Sequence, residues 1–229
     1  MRRLAATAAF FLSLVSAGTA GSLPEGFVHL ASVAPGIAQD IRYASAANFT
    51  GAPVPGYASP ACILAQPVAE ALARVQAGLQ LSGLTLLVFD CYRPARAVRH
   101  FVEWSAADGE ARDPAYHPNV RRSQLVAAGY IAARSGHSSG GSVDLTLARS
   151  LPGGGHEPFD MGGGFDLFDR VSHVEAANIS VAAKANRALL ARAMAREGFV
   201  AYPREWWHFR YRKEPFPGEA FDFAVSALQ

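Results

Sequence analysis

The most restrictive stretch of this chain is Ser135-Gly136-His137-Ser138-Ser139-Gly140-Gly141-Ser142, a turn-forming segment that runs straight into the apolar strand Val143-Asp144-Leu145-Thr146-Leu147. Two adjacent glycines permit a tight reversal that other residues resist. If Gly140-Gly141 is the two-residue turn of a hairpin, counting outward pairs Ser139 with Ser142, Ser138 with Val143, and His137 with Asp144. Directly opposite residues share a face, with β-carbons ~5 Å apart. One imidazole and one carboxylate then converge on a point, as a metal site requires. Even without a regular hairpin, the glycines allow a tight return.

Two further groups carry chemistry. Glu205-Trp206-Trp207-His208 places an acid three positions before a nitrogen ligand, a pattern that fits a zinc ligand beside a general base. His137, Asp144 and His208 together supply two imidazoles and one carboxylate, which leave zinc an open position for water. Zinc lowers the pKa of such a water to ~7, and a neighbouring carboxylate can take its proton. The third group is Asp90-Cys91-Tyr92-Arg93-Pro94. An arginine at the end of a buried strand can reach into a cleft and stabilise the oxyanion formed when water attacks an amide carbonyl. Taken singly, each residue has an ordinary structural reading: a loop histidine, a turn aspartate, a solvated ion pair. Their coincidence points to a zinc hydrolase.

Around these groups the periodicity predicts a mixed architecture. Pro67 suits a first helical turn, Val68, Leu72, Val75 and Leu79 follow at helical spacing, and Gly83 ends the run. Leu84 to Tyr92 reads as a buried strand, and helices are expected over Ala95 to Ala106 and Gln124 to Ala133. Leu151 to Gly164 reads as loop, Ser180 as the N-cap of a helix reaching Glu197, and Trp206 to Tyr211 as a strand. Helices and strands do not alternate regularly. The expectation is a single α+β domain with a small central antiparallel sheet flanked by helices.

Met1 to Ala20 is expected to be an export signal and not part of the fold. Arg2 and Arg3 give it a positive start, Leu4 to Val15 an apolar run, and Ser16 to Ala20 a small-residue cleavage region. Its removal takes the 21 basic residues to 19, equal to the 19 acidic ones, so the net charge falls from +2 to zero. A nucleic-acid-binding surface is therefore not indicated, and no other segment approaches the ~20 apolar residues of a membrane span. The expected location is periplasmic or secreted, without stable membrane association after cleavage. In an oxidising compartment the only two cysteines, Cys62 and Cys91, are a disulfide candidate; two buried thiols are the alternative.

The residues 135–144 resemble the SxHxxGxAxD signature of zinc D,D-peptidases, and Glu205 to His208 resembles their second signature. Ser142 departs from the usual alanine, but is also small. More narrowly, Asp40-Ile41-Arg42-Tyr43 with Asn48-Phe49-Thr50-Gly51, the Asp90 to Pro94 run, and Met161-Gly162-Gly163-Gly164-Phe165-Asp166 resemble the VanX-like D-alanyl-D-alanine dipeptidases. The resemblance spans nearly the whole of residues 21–229, in order. It implies a zinc D,D-peptidase-like fold, one zinc per chain on His137, Asp144 and His208, Glu205 as catalytic base and Arg93 as stabiliser of the tetrahedral intermediate. It also implies that Ser135 and Asp166 contact the ammonium end of D-Ala-D-Ala. The other histidines, His29, His100, His117, His156 and His173, match no role; His173 is near Asp166 in sequence. The alternatives are a D,D- or L,D-carboxypeptidase acting on longer peptidoglycan peptides and, more remotely, a non-catalytic zinc-containing binding module.

Overall fold

The structure, a computed structural model, describes residues 22–107 and 112–228. The export signal expected over Met1 to Ala20 lies outside the described residues. The chain enters through a short strand, β1 (Phe27–His29), a single helical turn, α1 (Leu30–Val33), and a two-residue strand, β2 (Ala38–Gln39). After an irregular stretch come β3 (Ile63–Ala65) and the helix α2 (Gln66–Gln80). Pro67 lies in its first turn, and Val68, Leu72, Val75 and Leu79 are buried along one face, as their spacing predicts.

The strand β4 (Thr85–Asp90) is buried throughout and stops before Arg93-Pro94, where α3 (Ala95–Ala107) begins. The C-terminal segment closes this junction. Asp222 accepts from the Arg96 backbone N–H at 2.8 Å, placing a carboxylate at the helix N-terminus. Beyond it, β5 (Ser142–Ser150), β6 (His156–Pro158), α4 (Val181–Arg196), β7 (Phe199–Tyr202) and β8 (Glu205–Tyr211) complete the elements. Ser180 caps α4 by accepting from the Ala183 N–H at 3.0 Å. Gly198 follows the helix with a positive φ.

The main sheet has the order β2-β4-β5-β8-β7, with β6 added to the far end of β5. All pairings are antiparallel except β2 with β4. A second, two-stranded sheet pairs β1 with β3. The helices α2 and α4 pack on one another, and α4 packs against β7. The fold is thus α+β and single-domain, as expected, with a parallel edge strand on an otherwise antiparallel sheet. Among the described residues no helix is long and apolar enough to cross a membrane.

Three local expectations are corrected. The helix predicted over Gln124 to Ala133 is absent: a 3-10 turn covers Arg122–Gln124, and turns follow it. Gly129 takes a φ of +77°, and the N–H groups of Tyr130 and Ile131 both bond back to the Leu125 carbonyl, which ends any helical ladder. The glycine-rich segment after Leu151 is not all loop, since His156–Pro158 pairs with Ser150, Arg149 and Ala148.

The third correction concerns the site. Gly140-Gly141 is not a hairpin turn, because Gly136–Ser139 forms a 3-10 turn and β5 pairs with β4 and β8 instead. Gly140 ends that turn at φ +71°, and a β-carbon there would meet Phe27 at 2.5 Å and the Ala65 nitrogen at 3.0 Å. The glycine is needed because the turn seats directly against the β1–β3 sheet, where the Ala65 N–H donates to the Gly140 carbonyl.

Candidate metal centre

Sheet register builds most of the site. Asp144 on β5 lies opposite His208 on β8 and opposite Asp90 on β4, so the three form one row across adjacent strands. Cross-strand neighbours in a row project from the same face. The row exists because β4 shifts register between Val88 and Asp90. Without that bulge Phe89 would stand opposite Asp144. A second irregularity serves β8. Its pairing with β7 passes from Ala201–Phe209 directly to Tyr202–Glu205, leaving Trp206, Trp207 and His208 unmatched. Residues three apart on a straight strand face opposite ways, yet Glu205 Oε2 is 4.0 Å from His208 Nδ1 and both line one cavity.

His137 comes from the 3-10 turn and joins this row. Its Nε2 is 3.0 Å from His208 Nδ1 and 3.3 Å from Asp144 Oδ1, and His208 Nδ1 is 2.9 Å from the same oxygen. Bonds of 2.0–2.1 Å to a tetrahedral zinc imply ligand separations of ~3.3 Å. The three atoms therefore sit close to the spacing a single ion demands. The tautomer fits as well. His137 Nδ1 lies 2.6 Å from the Cys91 carbonyl, which can only accept, so Nδ1 carries the proton and Nε2 presents its lone pair. A ring nitrogen tied to a carbonyl behind a free one is the usual support of a metal-binding histidine. The donor set fits zinc.

Cys91 is bonded to Cys62, with Cα atoms 5.3 Å apart, so the expected disulfide is present. Two residues on, Arg93 Nε donates to Asp90 Oδ2 at 2.9 Å and Nη2 reaches Asp144 Oδ2 at 3.4 Å. Asp90 is wholly buried; its Oδ1 accepts from Tyr57 at 2.7 Å, and its Oδ2 is 3.6 Å from His137 Nδ1. The guanidinium carbon also sits 5.0 Å from the Tyr43 ring centroid and 5.2 Å from that of Phe101. Ion pair and two aromatic faces hold Arg93 in one orientation.

Two more carboxylates share the cavity. Burial pushes the Glu205 carboxyl up to about 8, with the Asp144 charge adding to the shift and Arg93 and His137 opposing it. Asp166 is pushed well above the ordinary carboxylate range by burial and then by the charge of Asp144. The Tyr43 hydroxyl donates to both of its oxygens, at 3.1 and 3.0 Å. Asp144 behaves in the opposite way. Burial raises it, but His137 and His208 prevail and keep it ionised.

Ser135 caps the 3-10 turn, accepting from the His137 N–H at 3.2 Å while lining the cavity. The cavity holds about 230 Å³ and brings together all seven expected site residues: Arg93, Ser135, His137, Asp144, Asp166, Glu205 and His208. His173 stands apart, with its Nε2 3.3 Å from the Tyr130 hydroxyl.

Asp90, Tyr57 and Tyr43 join the site with no role of their own legible in the sequence. Asp90 and Tyr43 lie within strings already singled out, Asp90 to Pro94 and Asp40 to Tyr43. Tyr57 carried no local signal, because its hydroxyl finds Asp90 across 33 positions.

The D-ala-D-ala dipeptidase family model matches residues 24–226. A D-alanyl-D-alanine dipeptidase of Streptomyces coelicolor is 42% identical over 201 residues, covering 87% of this chain and 98% of that one. One from Enterococcus faecium is 39% identical over 202 residues, 88% of this chain and 98% of its own. One from Enterococcus faecalis is 39% identical over 205 residues, 89% of this chain and 100% of its own. With so much of each chain covered at this identity, the protein belongs to the D-Ala-D-Ala dipeptidase family of metallopeptidases.

Proposed function

We propose that the chain hydrolyses the dipeptide D-Ala-D-Ala to two D-alanines, with one zinc held by His137, Asp144 and His208. The observation that carries this reading is the meeting, in one small cavity, of a three-atom ligand cluster, an unspent carboxylate at Glu205, the fixed Arg93 guanidinium and a second carboxylate at Asp166. A zinc ion on three protein ligands supplies Lewis-acid polarisation and brings water's pKa down to ~7.

The remaining work falls to side chains. Glu205 removes the proton of the attacking water as its oxygen adds to the peptide carbonyl carbon. It then returns that proton to the leaving nitrogen as the C–N bond breaks, which restores the carboxylate. Positive charge entering the cavity favours the ionised form that this role needs, against the burial that raises it. Arg93, locked by Asp90, donates to the oxyanion of the tetrahedral intermediate. Asp166 pairs with the substrate's free ammonium, and Ser135 offers its hydroxyl at the same end. Burial and the Asp144 charge raise the pKa of Asp166, and an ammonium beside it favours its ionised form. A longer peptide carries a neutral amide there and makes no such ion pair, which disfavours it. That difference supports the dipeptidase reading over a carboxypeptidase.

An extracytoplasmic location is supported by the leader pattern of Met1 to Ala20 and by the Cys62–Cys91 bridge, which suits an oxidising compartment. The deciding assay offers the zinc-loaded protein D-Ala-D-Ala, L-Ala-L-Ala and a longer D-Ala-terminated peptide. Turnover confined largely to D-Ala-D-Ala is expected. Trimming of the longer peptide with D-Ala-D-Ala left intact would remove the narrower assignment.

A further inference from the structure

The segment that presents Asp166 to the cavity, residues 161–173, returns at both ends to one side chain. Arg187 is buried on α4. Its Nε donates to the Met161 carbonyl at 2.7 Å, Nη1 to that of His173 at 2.8 Å, and Nη2 to that of Val171 at 2.9 Å. All three acceptors are backbone oxygens, and they flank Asp166 on both sides in sequence. The guanidinium carbon also lies 5.8 Å from the ring centroid of Trp206, the neighbour of Glu205.

Burying a guanidinium against carbonyls alone is costly, and burial brings its pKa down to about 10. What the arrangement provides is geometry: a rigid planar fork presents donors from three separate nitrogens in fixed directions, whereas a lysine offers its three donors from one atom on a flexible stem. The clamped span needs such control. Asp166 has φ +59°, the one non-glycine residue with positive φ among the described residues. A strained residue persists only where its surroundings over-determine it.

The second half of the span has its own ties. The Ser172 hydroxyl donates to the Leu167 carbonyl at 2.6 Å, and the Phe168 N–H to the Tyr116 carbonyl at 2.6 Å. The first half begins Gly162-Gly163-Gly164, which has the least conformational preference of its own. That half is tied at its start by the clamp at Met161 and by Asn186, whose side-chain N–H donates to the Asp160 carbonyl at 2.8 Å, and at its end by Tyr43 on Asp166.

We infer that Arg187 is a positioning residue for recognition of the substrate's amine: it closes the base of the 161–173 segment and so holds the Asp166 carboxylate in the cavity. The inference rests on the reading of Asp166 as the partner of the ammonium group. Arg187 does not line the cavity, so it acts through what it contacts: the three carbonyls of the 161–173 segment and, more distantly, the Trp206 ring.

The test uses zinc-loaded Arg187→Lys and Arg187→Met, with D-Ala-D-Ala kinetics and amide hydrogen exchange over residues 161–173. The expected result is KM raised about tenfold, kcat within about threefold and zinc content unchanged. Exchange should accelerate within 161–173 and not in the central sheet. Arg187→Lys keeps the charge without the fork, so it serves as the reading variant if Arg187→Met fails to fold. A parental KM with parental exchange in folded Arg187→Lys overturns the inference. So does a joint fall of kcat and zinc content, which marks general damage. Asp166→Asn is measured alongside. If it leaves KM unchanged, the amine-site reading fails; the exchange data then decide the anchoring by themselves, faster exchange supporting it and unchanged exchange overturning it.

Discussion

His137 Nδ1 donates its proton to the carbonyl of Cys91 at 2.6 Å, and Cys91 is covalently tied to Cys62. The disulfide therefore helps to fix the backbone oxygen that sets the tautomer of a ring in the candidate ligand cluster. Replacement Cys62→Ser should lower stability by roughly 3–4 kcal/mol for a loop of this length. It should also weaken zinc retention, measured by chelator competition beside denaturant unfolding. Loss of stability with zinc affinity unchanged would show that the carbonyl is held without the bridge.

In the proposed mechanism Glu205 and the three residues of the ligand cluster separate chemistry from binding. We expect one zinc per chain, reversible loss of activity on chelation, and a loss of at least about 10²-fold in kcat for Glu205→Ala with zinc retained. Metal analysis with steady-state kinetics checks this. Normal turnover in Glu205→Ala would remove it from the role of base.

In the proposed mechanism Arg93 acts by direction as well as charge, because Asp90, Tyr43 and Phe101 hold it in one pose. Arg93→Lys keeps the charge and loses the fork. It should cost about 10²-fold in kcat, with a much smaller change in KM, as expected for an interaction made mainly in the transition state. A rise in KM alone would assign Arg93 to ground-state binding instead.

His173 gives a pH signature outside the ligand cluster. Burial, and then the charges of Arg204 and Arg170, hold its pKa below the ordinary 6.5. The folded state thus disfavours the protonated ring. Stability from this group is complete above the unfolded value and is lost as pH falls through the folded one. Thermal unfolding at pH 7.5 and pH 5 should show His173→Gln losing less on acidification than the parent. An equal loss would remove His173 as a contributor.

Much of the candidate site was legible in the sequence because its chemistry is written in side-chain type and local order. His137, Asp144, Glu205, His208 and Arg93 were identified from their strings. Helix α2 followed from apolar spacing and Pro67, and α4 from Ser180 and Gly198, signals that act within a few residues. The segment after Gln124 misled because its composition suits a helix while Gly129 and the turn at Leu125 end the ladder. The hairpin at Gly140-Gly141 misled because local turn chemistry does not reveal which strand lies alongside.

What the sequence determined by itself is therefore the set of reactive groups and the short-range elements that carry them. Only the tertiary structure decided how those groups face one another. The row Asp90–Asp144–His208 depends on a bulge in β4, and the shared face of Glu205 and His208 on an irregularity in β8. Tyr43 reaches Asp166 across 123 positions, and Arg187 gathers carbonyls from 14 to 26 residues away. The physical reason is that strand register and long-range hydrogen bonds are settled by packing among distant segments, which no local periodicity encodes.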